Sequence, residues 1–334
     1  MQRIESLGQP AVSSANVLIF AFVLCCAIAA ALIGAFPLQL SIITIFLFAG
    51  VHNVMEFRYF AARMPVRWGR SRTYYSIGIG GVIILTTAYL TLYFSSGNWL
   101  WSADNYSYLI LAWNSALIFW VGLLFYLRGK QKRADRGWAL PLILFIAAAA
   151  WAAPQYWSLS LVYLHPLVAM WFLERQICRT KPEWLRAYHI CLASIPIFLI
   201  LIWIFLSGQP NLPEETRLFW RIAQHAGSEI LPGVSSRLLV ASHVFLESIH
   251  YFVWILLIPL VDRRAVPWRL NDIPLFSNAN GIPKIFAAFL LFGFIGIVAL
   301  WFGFATDYTT TRDIYFAFAI GHVLAEFPFL IKML

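Results

Sequence analysis

The chain has 334 residues, of which 61% are hydrophobic and only 12% are charged, and its formal net charge is +9. Soluble domains carry about 25% charged residues, so this composition excludes an ordinary soluble protein and indicates a membrane protein. The positive charge does not indicate nucleic-acid binding, because the basic residues lie in short clusters between apolar runs, as in the cytoplasmic loops of membrane proteins.

A membrane-spanning helix needs about 20 apolar residues, and ten segments qualify. They are residues 15–35, 38–60, 74–95, 106–127, 138–153, 156–177, 187–207, 237–261, 284–304 and 313–332. The fifth is the shortest, and a tilted or re-entrant course is one interpretation of it. The sequence therefore predicts an all-α, polytopic membrane helical bundle of about ten transmembrane helices, folded as a single integral membrane domain over residues 1–334.

The loops between these segments alternate in charge. Basic residues concentrate in residues 63–72, 128–136, 175–186 and 263–284, whereas the loops between them carry few. Because Lys and Arg are enriched on the cytoplasmic side, both termini are expected in the cytoplasm, with a bacterial inner membrane as the default location. The outer loop at 208–236 is the largest. Its apolar residues at helical spacing predict a helix lying in the membrane interface.

Histidine and glutamate recur at a four-residue spacing within these segments. The chain has 7 histidines, and residues i and i+4 share one face of a helix. Three such pairs lie in predicted membrane helices: His52 with Glu56, His243 with Glu247, and His322 with Glu326. A fourth pair, His225 with Glu229, falls in the outer loop and is interpreted as an ordinary surface pair.

His165 and His250 join the three membrane pairs at a similar depth. At 1.5 Å per residue, these histidines lie roughly 9–21 Å below the outer boundary. A charged side chain at the bilayer centre costs on the order of 2.5–3.5 kcal/mol, so the glutamates must be paired, protonated or bound to something. Neutral imidazole binds iron, copper and zinc, and carboxylates orient such ligands. The pattern therefore indicates a metal site.

Other interpretations compete with a metal site. Histidines that hydrogen-bond between membrane helices contribute roughly 0.6–2 kcal/mol, so the pairs can be purely structural, as in a non-catalytic assembly factor. The same groups can relay protons in a proton-coupled transporter, although Gly and Pro do not cluster in matching halves. A haem-binding electron-transfer protein is a further alternative. The chain has no CxxCH motif, so such a haem would be held non-covalently.

Four short motifs resemble those of a known family. The order "GVHNVMEF", "LHPL", "FLESIHYFVW" and "GHVLAEF" is similar to the histidine motifs of the Brp/Blh family of membrane β-carotene dioxygenases. The resemblance implies a non-haem iron and the central cleavage of a carotenoid. It also implies a set of site residues, which are His52, His165, His250 and His322 as histidines of the motifs, with Glu56 and Glu326 as their carboxylates.

The resemblance covers these motifs and not the intervening chain. Asn53 stands where the family has Gly, and Glu replaces Asp at positions 56 and 326. Glu247 stands near the place of another family histidine, with His243 one turn earlier. The chain also has more apolar segments than we expect of the family. The resemblance therefore supports a metal site in this chain more strongly than it supports a carotenoid substrate.

Together these features predict a membrane metalloenzyme, with non-haem iron as the expected metal, that oxidises or cleaves a lipid or carotenoid-type substrate with O2. Haem and other transition metals remain alternative cofactors. The expected partners are a hydrophobic small molecule from the bilayer and membrane lipids, with the oligomeric state left open. Glu56, Glu247 and Glu326 are expected to orient the metal ligands or to transfer protons. The expected ligands are His52, His165, His243, His250 and His322.

Overall fold

A computed structural model describes residues 14–95, 103–133, 137–262 and 269–334 of the chain. Every regular element in these ranges is a helix, and nine stretches are long and apolar enough to cross a membrane. These are Ala15–Ala35, Pro37–Arg63, Gly69–Ser95, Asn105–Lys132, Pro154–Thr180, Pro182–Leu206, Ser236–Val261, Pro283–Thr306 and Tyr308–Met333. The prediction of an all-α, multi-pass membrane bundle is confirmed.

The α-helices are numbered in chain order. They are α1 (Ser14–Ala35), α2 (Pro37–Arg63), α3 (Arg72–Ser95), α4 (Ala103–Lys132), α5 (Ala139–Ala152), α6 (Pro154–Thr180), α7 (Leu185–Leu206), α8 (Arg217–His225), α9 (Ser236–Phe252), α10 (Ile258–Val261), α11 (Pro274–Ser277), α12 (Pro283–Thr306) and α13 (Tyr308–Met333). A π-helical turn, Val253–Leu257, joins α9 to α10, so these elements form one span.

The fifth predicted segment is shorter than a full span. Helix α5 has 14 residues, or about 21 Å at 1.5 Å per residue, whereas the hydrocarbon core is about 30 Å thick. The helix ends because Ala153 precedes Pro154, and a residue before proline is disfavoured in the helical conformation. Ala153 has φ −147° and ψ 65°. Among the described residues, nine helices have the length of a full span, and α5 is the short apolar helix that the fifth segment predicts.

The basic loops meet at one end of the bundle, which we call the basic end; the opposite end is the outer end. Lys332 Nζ lies 2.8 Å from Ser71 Oγ and 2.9 Å from Gln131 Oε1. These contacts join the end of α13 to the connection between α2 and α3 and to the end of α4. Some predicted loop positions lie outside the described residues: the N-terminal residues 1–13, residues 96–102 of an outer loop, and Arg136, Arg263 and Arg264 of the basic loops.

An ion pair ties helices together at the basic end. Arg63, the last residue of α2, donates from Nη2 to Asp262 Oδ2 and to Gln176 Oε1, both at 2.6 Å. The ring of Tyr59 lies 3.2 Å from the guanidinium carbon of Arg63. The exposed fractions of the Arg63 and Asp262 side chains are 16% and 7%. This network links α2 and α6 to the residue that follows α10.

Helix α9 is the most enclosed of the spans. In the most apolar 18 residues of the span Ser236–Val261, which begins with α9, 67% of the residues are buried. In the corresponding part of α12 only 6% are buried. Helix α9 contacts α1, α2, α6, α7 and α8. Because α9 carries His243, Glu247 and His250, these polar groups are held in the interior of the bundle and not at its lipid-facing surface.

The outer loop at 208–236 contains a helix, α8, that packs against the end of the bundle. Thr216 caps its N-terminus by accepting a hydrogen bond from Phe219 N at 3.2 Å, an arrangement that satisfies an otherwise unpaired amide. Ile222 and Ala223 are buried, and the helix contacts α9 and α2. Helix α8 therefore covers part of the outer end above α9.

A close approach between α3 and α4 gives a testable packing prediction. A Cβ atom on Gly81 would overlap the indole of Trp120, which is fixed because its Nε1 donates to Ile77 O at 3.0 Å. We expect Gly81→Ala to destabilise the protein by about 1–3 kcal/mol, the usual cost of overpacking. The midpoint of thermal unfolding in detergent measures this effect.

The neighbouring glycine provides a matched control. A Cβ atom on Gly80 would have no atom of the described residues within 4 Å. Alanine is favoured over glycine in a helix by about 0.5–1 kcal/mol, so Gly80→Ala should leave the midpoint unchanged or raise it. Equal behaviour of the two variants would contradict the packing of Trp120 against Gly81.

Candidate metal centre

Four histidines from four different helices converge at one place. His52 on α2, His165 on α6, His250 on α9 and His322 on α13 form a closed square of rings. The ring centroids lie 5.2 Å apart for His52 and His250 and 4.6 Å apart for His165 and His250. The other two sides, from His322 to His52 and from His322 to His165, are both 5.3 Å. We call this group the four-histidine centre.

Helix irregularities lie close to this centre. Pro166 directly follows His165 inside α6, and Pro328 lies two residues after Glu326 inside α13. A proline has no N–H group and interrupts the helical hydrogen-bond pattern. The π-helical turn Val253–Leu257 begins three residues after His250, and turns of this kind are frequent at functional sites. Three of the four helices are thus irregular where they approach the centre.

Several polar atoms at the centre lack partners among the described residues. Six of these atoms are buried and make no hydrogen bond there: both ring nitrogens of His250, both ring nitrogens of His322 and both carboxylate oxygens of Glu56. An unpaired buried polar group costs about 1–3 kcal/mol, and a charged one costs more. So many unpaired atoms at one place indicate a site for a bound group.

Two of the histidines have a neighbour that orients the ring. His52 Nδ1 donates to the carbonyl oxygen of Phe48 at 3.1 Å, which leaves Nε2 as the nitrogen with a free lone pair. His165 Nδ1 lies 3.2 Å from Glu326 Oε2, although this pair is not aligned as a hydrogen bond. A carbonyl or carboxylate on the second nitrogen is the usual way of fixing a metal-binding imidazole.

Three of the donors lie close enough together to hold one metal ion, whereas His165 and His250 adjoin this group by their rings and do not belong to it. His52, Glu56 and His322 each present one possible ligand atom, and these atoms lie within 4.8 Å of one another. Two imidazoles that bind one ion at about 2.0–2.1 Å would have ring centroids about 4.5–5.2 Å apart, which is close to the observed separations. Imidazole with carboxylate suits iron, zinc or copper.

His243 and Glu247 lie one layer closer to the outer end. The ring of His243 faces His225 at 5.1 Å and Tyr163 at 5.8 Å between centroids, and its Nδ1 lies 4.0 Å from Glu247 Oε2. His243 is seven residues before His250 on α9, or about 10.5 Å along the helix axis. The predicted fifth ligand therefore stands apart from the other four histidines.

The interpretation of His225 as part of a surface pair is wrong. Its ring turns inward, with the Phe316 ring 4.7 Å away, because the face of α8 that carries Ile222 packs on the bundle. Glu229 instead accepts a hydrogen bond from Gln224 Nε2 at 3.1 Å on the surface. Burial lowers the pKa of the His225 imidazole well below its usual value, and the neighbouring His243 and Arg312 lower it further. His225 is therefore neutral at pH 7.

Tyr251 connects the two layers and was not among the predicted site residues. Its ring lies 4.6 Å from the ring of His52, and its hydroxyl donates to Glu247 Oε1 at 2.7 Å. The sequence signal was its position directly after His250 in "ESIHYF". Only the packing of α9 against α2 brings this side chain to His52.

His189 lies outside both layers. Its Nε2 is 3.8 Å from Glu174 Oε1, and its side chain is 53% exposed. It is the histidine best suited as a control in experiments on the centre.

Comparison of the chain with protein-family models, curated proteins and solved structures finds no match. The residues and distances of the site are therefore the basis for assigning it a function.

Proposed function

We propose that the protein is a membrane metalloenzyme that uses O2 to oxidise or cleave a hydrophobic substrate of the lipid or carotenoid type. The observation that carries this proposal is the convergence of four imidazoles and buried, unpartnered Glu56 oxygens at one point inside the described part of the bundle. The motif resemblance to the Brp/Blh dioxygenases agrees with it. A bacterial inner membrane is the proposed location.

The residues have distinct proposed roles. A non-haem iron held by the four-histidine centre would supply the chemistry of O2 activation. The proposed role of Glu326 is to orient His165, whose Nδ1 lies 3.2 Å from Glu326 Oε2. Glu56 faces His52 and His322 and would act as a further ligand or as a proton acceptor. Tyr251 positions His52 and Glu247 relative to each other.

A lipid-facing groove supports delivery of the substrate from the bilayer. It lies between α6, α7 and α9, has a volume of ≈ 590 Å³, and is lined mainly by apolar side chains: Tyr163, Leu199, Ile200, Trp203, Ser242 and Leu246 among them. Trp203 Nε1 donates to Ser242 Oγ at 2.7 Å across it. The groove shares α6 and α9 with the four-histidine centre, since Tyr163 lies two residues before His165 and Leu246 lies four residues before His250.

Metal analysis of the purified protein tests the proposal. We expect iron at one or two atoms per chain in the wild type, and its loss in the variant His52→Ala/His322→Ala, because that variant removes two adjacent members of the square. His189→Ala is the matched control and should keep the metal. His322→Ala alone should abolish O2-dependent turnover of a carotenoid or lipid substrate. A His322→Ala protein with full metal and turnover would overturn the assignment, as would the absence of metal from the wild type.

One observation favours a second candidate, a proton-coupled transporter. Titratable or hydroxyl side chains lie in series from the outer layer to the centre, in the order His225, His243, Glu247, Tyr251 and His52, and Tyr251 and Glu247 are joined by a hydrogen bond of 2.7 Å. Buried ionisable residues of this kind mark proton relays in transporters. Proton flux into liposomes distinguishes the two candidates. Flux that depends on Glu247 in metal-free protein would favour the transporter.

The same geometry argues against haem as the cofactor. Two axial imidazoles lie on opposite faces of a porphyrin, whereas each imidazole here has two neighbours at 4.6–5.3 Å. Such a square leaves no plane for the macrocycle between the rings. A Soret band in the purified protein would contradict this argument.

A further inference from the structure

Arg312, near the start of α13, is a buried guanidinium without a hydrogen-bond partner among the described residues. It is 4% exposed, and its Nε lacks a partner. Its Nη1 lies 3.8 Å from Asp313 Oδ1, which is too long for a hydrogen bond. Its other neighbour is the ring of Phe316, 4.6 Å from the guanidinium carbon. The buried Nε–H group of Arg312 therefore has no acceptor among the described residues.

Arg312 belongs to the layer above the four-histidine centre. Phe316 contacts both Arg312 and the ring of His225, and His225 contacts His243. Glu247, one turn below His243, has a buried Oε2 that likewise makes no hydrogen bond with the described residues. We call the four residues His225, His243, Glu247 and Arg312 the outer polar cluster.

The outer polar cluster contains both an unpaired donor and an unpaired acceptor, which favours a ligand that can act as both. Arg312 Nε has no acceptor and Glu247 Oε2 has no donor among the described residues. An anion beside Arg312 would also meet the carboxylate of Asp313, whose Oδ1 lies 3.8 Å from Nη1. A hydroxyl group both accepts and donates hydrogen bonds, so it matches this cluster without adding charge.

The lipid-facing groove adjoins this cluster. Tyr163 lines the groove, and its ring lies 5.8 Å from that of His243. Ser242, also in the lining, is the residue before His243. A chain lying in the groove can therefore present one end to the cluster, while its apolar part remains among Leu199, Trp203 and Leu246.

We propose that the outer polar cluster binds a hydroxyl group at the end of an amphipathic lipid substrate. This inference rests on the proposed function, since the lipid is the substrate of the four-histidine centre. Arg312 lies ten residues before His322 on α13, and His243 lies seven residues before His250 on α9, so the end group sits about 10–15 Å from the centre along the helix axes. The cluster thereby determines which carbon of the chain reaches the centre.

Equilibrium binding of radiolabelled straight-chain probes to metal-free, detergent-purified protein tests the inference. The probes are a hydrocarbon, its primary alcohol and its carboxylate, all of equal chain length. Hydrogen bonds to charged groups are among the stronger ones, and we expect the wild type to bind the alcohol about 10–100-fold more tightly than the hydrocarbon, which is about 1.4–2.8 kcal/mol. Arg312→Gln should lose this preference. Arg217→Gln, at an exposed arginine of α8, should keep it.

Three results would overturn the inference: equal binding of alcohol and hydrocarbon by the wild type, tighter binding of the carboxylate than of the alcohol, or an unchanged alcohol preference in Arg312→Gln. The first two need no variant, so they hold even if Arg312→Gln fails to fold. Because the probes are tested without metal, the outcome is separate from the metal analysis. A wild-type protein that binds metal but shows no alcohol preference would reject the end-group site alone and leave the proposed function standing.

Discussion

Replacing Asp262 with alanine is expected to destabilise the protein by about 3–5 kcal/mol, the usual cost of removing one partner of a buried ion pair. Asp262 Oδ2 lies 2.6 Å from Arg63 Nη2, and both side chains are largely enclosed. The substitution leaves the Arg63 charge between Gln176 and the Tyr59 ring, without a counter-charge at that distance among the described residues. Unfolding in detergent, followed by circular dichroism against temperature or denaturant, measures the loss.

A double substitution separates the ion pair from the space that it fills. Arg63→Met combined with Asp262→Leu removes both charges and keeps much of the volume, and such replacements are often neutral or stabilising. We therefore expect the double variant to unfold close to the wild type and well above Asp262→Ala. A loss below about 1 kcal/mol for Asp262→Ala, as for exposed ion pairs, would contradict the buried character of this contact.

Replacing Glu326 with glutamine is expected to weaken metal binding by about 10–100-fold, the usual effect of losing a carboxylate that orients a metal-bound histidine. Glu326 is 2% exposed and contacts His165 Nδ1 at 3.2 Å. Glutamine has nearly the same shape but no negative charge, so the helix packing should persist. Competition with a metal chelator gives the affinity.

Glu229→Gln provides the comparison for this experiment. Glu229 is an exposed glutamate whose carboxylate contacts Gln224 and not the centre, so its substitution should leave the metal affinity unchanged. Thermal unfolding of both variants reports on folding independently of metal. Unaltered affinity in Glu326→Gln would remove Glu326 from the set of residues that orient the ligands.

The spans could be predicted from the sequence because a long apolar run in a membrane protein has one stable backbone conformation. The segment 284–304, for example, lies within α12, Pro283–Thr306. The exception was the segment 138–153. It is apolar throughout, but its helix has only 14 residues because Pro154 follows it. Composition records how apolar a segment is, whereas a single proline decides where a helix stops.

The candidate site could be predicted only in part. Spacing on one helix identifies a shared face, and it correctly grouped His243, Glu247 and His250 on α9. It does not resolve depth to better than several ångströms, so it merged two layers that lie about 10 Å apart on the same face. Arg312 and Tyr251 were missed for a different reason: their importance comes from neighbours on other helices, which no single-helix pattern contains.

The four-histidine centre also has a consequence for how the protein is made. Its histidines are contributed by α2, α6, α9 and α13, so the last of them emerges from the ribosome after the eight preceding spans of the described chain. Until α13 packs, His52 and Glu56 lack their neighbour His322, and the square is open on two sides. A metal bound at this centre, as we propose, would therefore have to enter after membrane integration of nearly the whole chain.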